Sequence, residues 1–194
     1  DGNYLIVKDQ HVRVISGGEP GTIPWDALQA DVVVDATGRF LTREKLALHL
    51  ESGAKRVLLT RNPKNEIDRY VIPGINESSI SLSDKIISTT SSTTQVLALM
   101  VKMLDETFGL QRAMMTTVHA YTADQPLADV AGADLRRSRS AVENIIPNTT
   151  KSPDLVQKIM PQYKGKIEGI AFNVPVPNGS CVDLTTELDR TPTI

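Results

Sequence analysis

Sulfur and aromatic rings are scarce in this chain: it has one cysteine, Cys181, and only 4% Phe, Trp and Tyr among 194 residues. A single thiol excludes an internal disulfide and any multi-cysteine metal centre, and no metal site is expected. Long apolar runs are also missing. None approaches the roughly 18 residues of a spanning helix, and no signal-peptide pattern opens the chain. Neither charge sign is in excess, since 21 basic residues face 23 acidic ones for a net charge of −2 and a pI near 5.9. That balance gives no global attraction to nucleic acid or to an anionic membrane. Internal repeats and low-complexity tracts are absent as well. Asn76, Asn148 and Asn178 open Asn-x-Ser/Thr triplets, which without a secretion signal read as chance. The default expectation is a cytoplasmic protein.

Hydrophobic residues make up 40% of the chain, enough for a genuine core in one large or two small domains. Tyr4-Leu5-Ile6-Val7, a turn at Lys8-Asp9-Gln10, and Val12-Arg13-Val14-Ile15 read as a hairpin already in progress. The last strand signal, Leu184 to Leu188, is followed only by Asp189 to Ile194. With Asp1 rather than Met in first place, both ends read as cut from something longer.

Val32-Val33-Val34-Asp35-Ala36 is a β-branched run of the kind buried on both faces of a parallel sheet, ended by Thr37-Gly38. Thr42 is placed to cap a helix over Arg43 to Glu51, Gly53 to stop it, and Val57-Leu58-Leu59 to form the next strand. Strand, helix and strand in about thirty residues make a βαβ unit. Ile86-Ile87-Ser88 then leads through Thr89-Thr90-Ser91-Ser92 into a helix from Thr93 to Phe108, apolar nearly all round, which Gly109 ends. Such a helix is expected to be central. Beyond it lie long β signals at Met114–Tyr121, Glu168–Val174 and Cys181–Leu188. The expected fold is therefore α/β plus α+β. Residues 1–91 read as the C-terminal half of a Rossmann-like parallel-sheet domain, and 92–194 as part of a mixed or antiparallel-sheet domain with a helix packed on it.

Several segments, in order along almost the whole chain, resemble the glyceraldehyde-3-phosphate dehydrogenase family. They are Pro24-Trp25, Asp35-Ala36-Thr37-Gly38, Gly74-Ile75-Asn76, the turn from Ser88 to Gln95, Thr116 to Gln125, Asp134 to Arg139, Asn144 to Pro147, and Val174 to Pro177. The resemblance implies NAD or NADP as cofactor, with Thr37 and Gly38 after the strand whose end meets it. It places the Gly-rich pyrophosphate turn before Asp1, so the chain alone is expected to bind NAD very weakly. It also implies a phosphorylated small-molecule substrate and a homo-oligomer, a tetramer in the intact protein, with the loop from Tyr121 to Asn148 packing between subunits.

Site residues follow from the same resemblance. His119 matches the base, on a strand face shared with Thr117 and Tyr121. Thr122, Asp124 and Arg137 match the substrate-phosphate site. Ser91, Thr93 and Thr150 match the inorganic-phosphate site. Three positions depart from the family. Ser92 stands where the nucleophilic cysteine is expected, Lys151 replaces the glycine after Thr150, and Asn173 replaces an arginine. A thiol titrates near 8.5 and can be pushed below 7, whereas a serine hydroxyl needs a general base in flight. Ser92 is expected either to hydrogen-bond His119 or to be a plain helix N-cap.

Read without the family, Arg136-Arg137-x-Arg139 is a solvated face or a nucleic-acid patch; with it, an interface loop. Cys181 is expected to be inert. Three functions remain open. The first is a phosphorylated-aldehyde dehydrogenase, impaired by Ser92 and Asn173. The second is a non-catalytic binding or assembly subunit that keeps a phosphate pocket. The third, weaker, is a serine esterase using Ser92 and His119 without a visible acidic partner.

Overall fold

The computed structural model describes residues 3–192, so Asp1-Gly2 at the expected cut start and Thr193-Ile194 at the end of the tail lie outside the described residues. The chain forms two compact units, Asp1–Arg69 with Ser81–Ser88, and Tyr70–Ile80 with Thr89–Ile194. Residues 70–80 cluster with the second unit although they precede the last strand of the first.

In the first unit, β1 (Tyr4–Val7) and β2 (Gln10–Arg13) pair as an antiparallel hairpin across a tight turn, with Lys8 in the left-handed region at φ 55°. Its sheet pairs β3 (Val32–Asp35), β4 (Arg56–Leu59) and β6 (Ile86–Ser88) in parallel, with the two-residue β5 (Arg69–Tyr70) beside β6, in the order β3-β4-β6-β5. Between β3 and β4 runs α1 (Arg43–Glu51), whose Thr42 side chain accepts the Lys45 amide at 3.4 Å. After Ser52 the chain turns through Gly53 at φ 107°, a conformation that glycine adopts without a steric penalty.

Leu46, Val57 and Leu59 are fully buried, whereas Val32 and Val34 are 54% and 56% exposed. The expectation of a strand buried on both faces is therefore corrected: β3 buries Val33 and Asp35 and leaves its other face open. Asp68 accepts the Lys85 and Ile86 amides and pairs with Arg43 at the start of β6. Burial pushes its carboxyl up, but these donors outweigh that and hold it below the usual carboxylate range.

The second unit is built on α2 (Ser92–Phe108), β7 (Leu110–Ala120), β8 (Ile146–Asn148), α3 (Ser152–Ile159), β9 (Ile167–Val174) and β10 (Ser180–Leu188). Its sheet is mixed, in the order β10-β7-β9-β8, with β7 antiparallel to β10 and parallel to β9. Leu97, Ala98 and Val101 of α2 join Met115, Val156, Tyr163 and Ile167 in one core cluster. The other apolar residues of α2 stay outside: Val96, Leu99 and Met103 are 43%, 39% and 67% exposed. The helix is thus one-sided, not central, because sheet and α3 cover only the stripe through Leu97 and Val101. Among the described residues, no helix is long and apolar enough to cross a membrane.

Candidate functional site

The turn into α2 concentrates hydroxyl groups at a helix N-terminus. Thr90 enters it at φ 65° while 1% exposed, an unusual conformation for a β-branched residue and one that occurs where surrounding structure enforces it. Ser91, not Ser92, is the N-cap: its Oγ accepts the Thr94 amide at 3.3 Å. Ser92 is the first helical residue, solvent-exposed, and its hydroxyl makes no hydrogen bond among the described residues. Both expectations for Ser92, the N-cap and the His119 bond, are corrected.

His119 lies near the end of β7, and its Nε2 is 2.6 Å from Thr117 Oγ1 and 3.4 Å from Thr93 Oγ1. Thr117 and His119 share a face through the two-residue strand period, as expected, whereas Tyr121 falls beyond the strand. Thr117 Oγ1 also lies 3.4 Å from the Cys181 carbonyl, to which it can donate. The imidazole is thereby held by threonines and not by the serine.

A chain of hydroxyls links the two helix starts. Ser91 Oγ is 2.8 Å from Thr94 Oγ1, which donates to Ser152 Oγ at 3.0 Å in the first turn of α3. Thr150 Oγ1 accepts the Ser152 amide at 3.2 Å. Ser91 and Thr150 are therefore joined through Thr94 and Ser152, while Thr93 turns its hydroxyl to His119 instead. Asn173 sits opposite His119 in the β7–β9 register and is 7% exposed. Its Oδ1 accepts from Asn148 Nδ2 at 3.0 Å, and its Nδ2 donates to the Ala120 carbonyl at 3.2 Å. The amide is spent on a cross-strand staple, where an arginine would have offered paired donors to an anion.

The loop after β7 is ordered by its own side chains. Gln125, 7% exposed, accepts the Thr122 amide at 2.8 Å and the Thr122 hydroxyl at 3.1 Å, while Asp124 N donates to Thr122 Oγ1 at 3.4 Å. Arg137 is held only through its backbone, to Asp134. Its exposed guanidinium makes no ion pair among the described residues, and no contact joins it to Thr122 or Asp124. Arg139 pairs with Asp129 at 3.2 Å, which ties one member of the basic cluster to the loop itself. A cavity of about 430 Å³ lined by Arg112, Met114, Lys166, Glu168, Thr185 and Glu187 lies at the opposite end of β7 from His119 and includes none of the site residues.

In the first unit, Thr37 and Gly38 follow β3 at the carboxyl edge of the parallel sheet, where ligands of open α/β sheets bind. Asp35 Oδ1 accepts both the Thr37 amide, at 2.9 Å, and its hydroxyl, at 2.7 Å. Gly38 has φ 69°, and a Cβ there would meet Arg61 Nη1 at 2.8 Å. No group of three or more His, Cys, Asp or Glu able to hold a metal occurs among the described residues.

Residues 91–194 match the model of the glyceraldehyde 3-phosphate dehydrogenase C-terminal domain. The chain belongs to the glyceraldehyde-3-phosphate dehydrogenase family. It is 43% identical over 195 residues to the glyceraldehyde-3-phosphate dehydrogenase of Geobacillus stearothermophilus, covering all of this chain and 58% of that relative. It is 45% identical to glyceraldehyde-3-phosphate dehydrogenase 2 of Bacillus subtilis, over 95% of this chain and 54% of the relative. It is 42% identical to the chloroplastic enzyme A of Scenedesmus vacuolatus, over 98% of this chain and 60% of the relative. The chain thus spans little more than half the length of these relatives.

Sequence reasoning put Thr117 on the His119 face, but not its hydrogen bond to the ring, the Asn148 staple or the left-handed Thr90. Thr117 and Asn148 follow from strand period and register. The left-handed Thr90 has no local signal.

Proposed function

We propose that this chain is part of a glyceraldehyde-3-phosphate dehydrogenase-like protein that holds a phosphorylated aldehyde and is impaired in phosphorylating oxidation. The observation that carries this reading is Ser92 at the first position of α2, exposed and unbonded, where the family reaction needs an ionisable thiol. An aldehyde carbon next to Ser92 would have to receive an un-ionised hydroxyl, with its proton passed to a base. His119 Nε2 is engaged with Thr117 and Thr93 and would have to turn to take it. Phosphate held by the hydroxyls of Ser91, Thr93 and Thr150 would lack a guanidinium at position 173, with Lys151 the nearest substitute in sequence. Thr122, Asp124 and Arg137 are assigned to the substrate phosphate.

A nicotinamide dinucleotide, NAD or NADP, would accept hydride when bound. The residues that would meet one edge of it are Thr37 and Gly38, which form a turn at the sheet's carboxyl edge beside the Arg61 side chain. A cytoplasmic homotetramer is the assembly this reading expects, and light scattering of the full-length product as a monodisperse monomer would contradict it.

The test is NADH formation from glyceraldehyde 3-phosphate and phosphate by wild type and Ser92→Cys, paired with iodoacetamide labelling by position. The new thiol should label faster than an ordinary thiol because a helix N-terminus stabilises its thiolate, while NADH formation stays low in both proteins. Robust NADH formation by wild type would remove the impairment. Substrate binding without turnover in both would favour the second reading, a binding or assembly subunit, for which the spent amide of Asn173 speaks.

A further inference from the structure

Beneath the Thr37–Gly38 turn lies a chain of side chains to which no role has been assigned. Trp25, the only tryptophan of the protein, donates its Nε1–H to His49 Nδ1 at 3.1 Å. Indole N–H is a donor only, so Nδ1 must accept, and the neutral ring then carries its proton on Nε2. That nitrogen faces Asp35 Oδ2 at 3.4 Å. The other oxygen, Oδ1, holds the Thr37 amide and hydroxyl. Thr37 Oγ1 in turn accepts the Arg39 amide at 3.2 Å.

Burial decides how much the middle of this chain matters. His49 is 5% exposed and Asp35 2%. Among the described residues, His49 is the sole polar partner of Asp35 Oδ2. A carboxylate oxygen left without a donor in such a place turns towards whatever donor it can reach, and the nearest are the Thr37 groups that its sister oxygen already orients. We infer that His49 is a positioning residue for the Thr37–Gly38 turn, acting through Asp35. The consequence for a nucleotide rests on the reading that this turn meets the cofactor; the ordering of the turn itself does not.

Two substitutions divide the imidazole into its halves. In His49→Asn, a side-chain oxygen near the Nδ1 position keeps an acceptor for Trp25 but removes the donor to Asp35. In His49→Gln, an amide nitrogen near the Nε2 position keeps the donor to Asp35. Trp25→Phe, at a partly exposed site, removes only the outer end of the chain. The measurement is hydrogen exchange of the full chain over residues 34–40. The Thr37 amide should exchange roughly tenfold faster in His49→Asn, the factor expected when a hydrogen bond to a buried charge is weakened. It should stay within about twofold of wild type in His49→Gln and Trp25→Phe.

A merely structural histidine would give equal losses in both His49 variants. That result, or unchanged exchange in His49→Asn, or loss in Trp25→Phe matching it, would overturn the inference. Calorimetric titration of the full-length product with NAD separates the two readings. Weaker NAD binding by His49→Asn than by His49→Gln supports both. The exchange difference without any effect on NAD overturns the cofactor assignment of the turn and leaves the positioning role standing.

Discussion

Replacing Tyr163 by Phe tests the joint that holds the second unit together. Tyr163 is 3% exposed, and its hydroxyl donates to Asp105 Oδ2 at 2.6 Å. Asp105 Oδ1 accepts the Leu110 amide at 2.7 Å, so one carboxylate ties the end of α2, the start of β7 and the 3-10 turn Pro161–Tyr163. A hydrogen bond to a charged group is worth about 1.5–3 kcal/mol when water cannot replace it. Asp105 is half-exposed, which brings the expected loss down to about 1–1.5 kcal/mol. For a chain of this size that is a fall in Tm of roughly 3–5 °C.

The pH dependence gives the sharper check. Tyr163, then the Leu110 amide, hold the Asp105 carboxyl below its usual range. A depressed carboxylate contributes stability above its unfolded pKa and loses it as pH falls through its folded pKa. The gap between wild type and Tyr163→Phe should therefore be full at neutral pH and shrink at the acid end. Burial, then the Asp105 hydrogen bond, push the Tyr163 phenol up, so wild type should also lose stability as pH rises past the ordinary phenol pKa of about 10. The phenylalanine variant lacks that alkaline loss. Calorimetric melting between acid and alkaline pH is the assay. A Tm within about 0.5 °C of wild type at pH 7, or a gap that ignores pH, would refute the role given to this pair.

Arg137→Ala should weaken binding of phosphate or sulfate to the full chain by roughly tenfold if the free guanidinium serves the substrate phosphate, as nuclear magnetic resonance titration would show. Unchanged anion binding would assign Arg137 to an interface or to solvent. Gly109→Ala should cost about 1–3 kcal/mol in denaturant unfolding, because φ 73° is strained for alanine and a Cβ there would run into the Asp189 side chain. A loss under about 0.5 kcal/mol would mean that the α2–β7 corner relaxes freely. Leu97→Ala, at a fully buried position of the core cluster, should cost about 2–5 kcal/mol, read as a shifted denaturation midpoint with the slope preserved. A shift below about 1 kcal/mol would show that α2 is not anchored through Leu97.

Local chemistry explains why much of this fold is legible in the chain itself. Thr42 and Gly53 bracket α1 as cap and stop, and Val57-Leu58-Leu59 forms the strand that follows it. The errors share one cause. Val32, Val34, Val96 and Met103 read as core because an apolar pattern reports a surface to be covered and not what covers it. The N-cap fell one residue away from Ser92 for a related reason. Ser91, Ser92 and Thr93 are all good caps by type, and the choice among them is made by the left-handed Thr90, which aims Ser91 back at the Thr94 amide.

The candidate site was legible in part because the family motif fixes residue types, but not how their hydrogen bonds are spent. His119 and Asn173 illustrate the difference. Both were singled out by position; His119 meets Thr117 two residues away on its own strand, whereas Asn173 finds its partners across the sheet, Asn148 on β8 and the Ala120 carbonyl on β7. Such partners become visible only once register is known. They also bear on function more than the residue types do. A serine with a free hydroxyl and an asparagine with both ends of its amide bonded differ in what restoring the family residue would require. Ser92→Cys alters an exposed, unbonded position, whereas Asn173→Arg must first break a buried staple between β8, β9 and β7. Restoring the nucleophile is therefore a local change, and restoring the phosphate site is a change to the sheet.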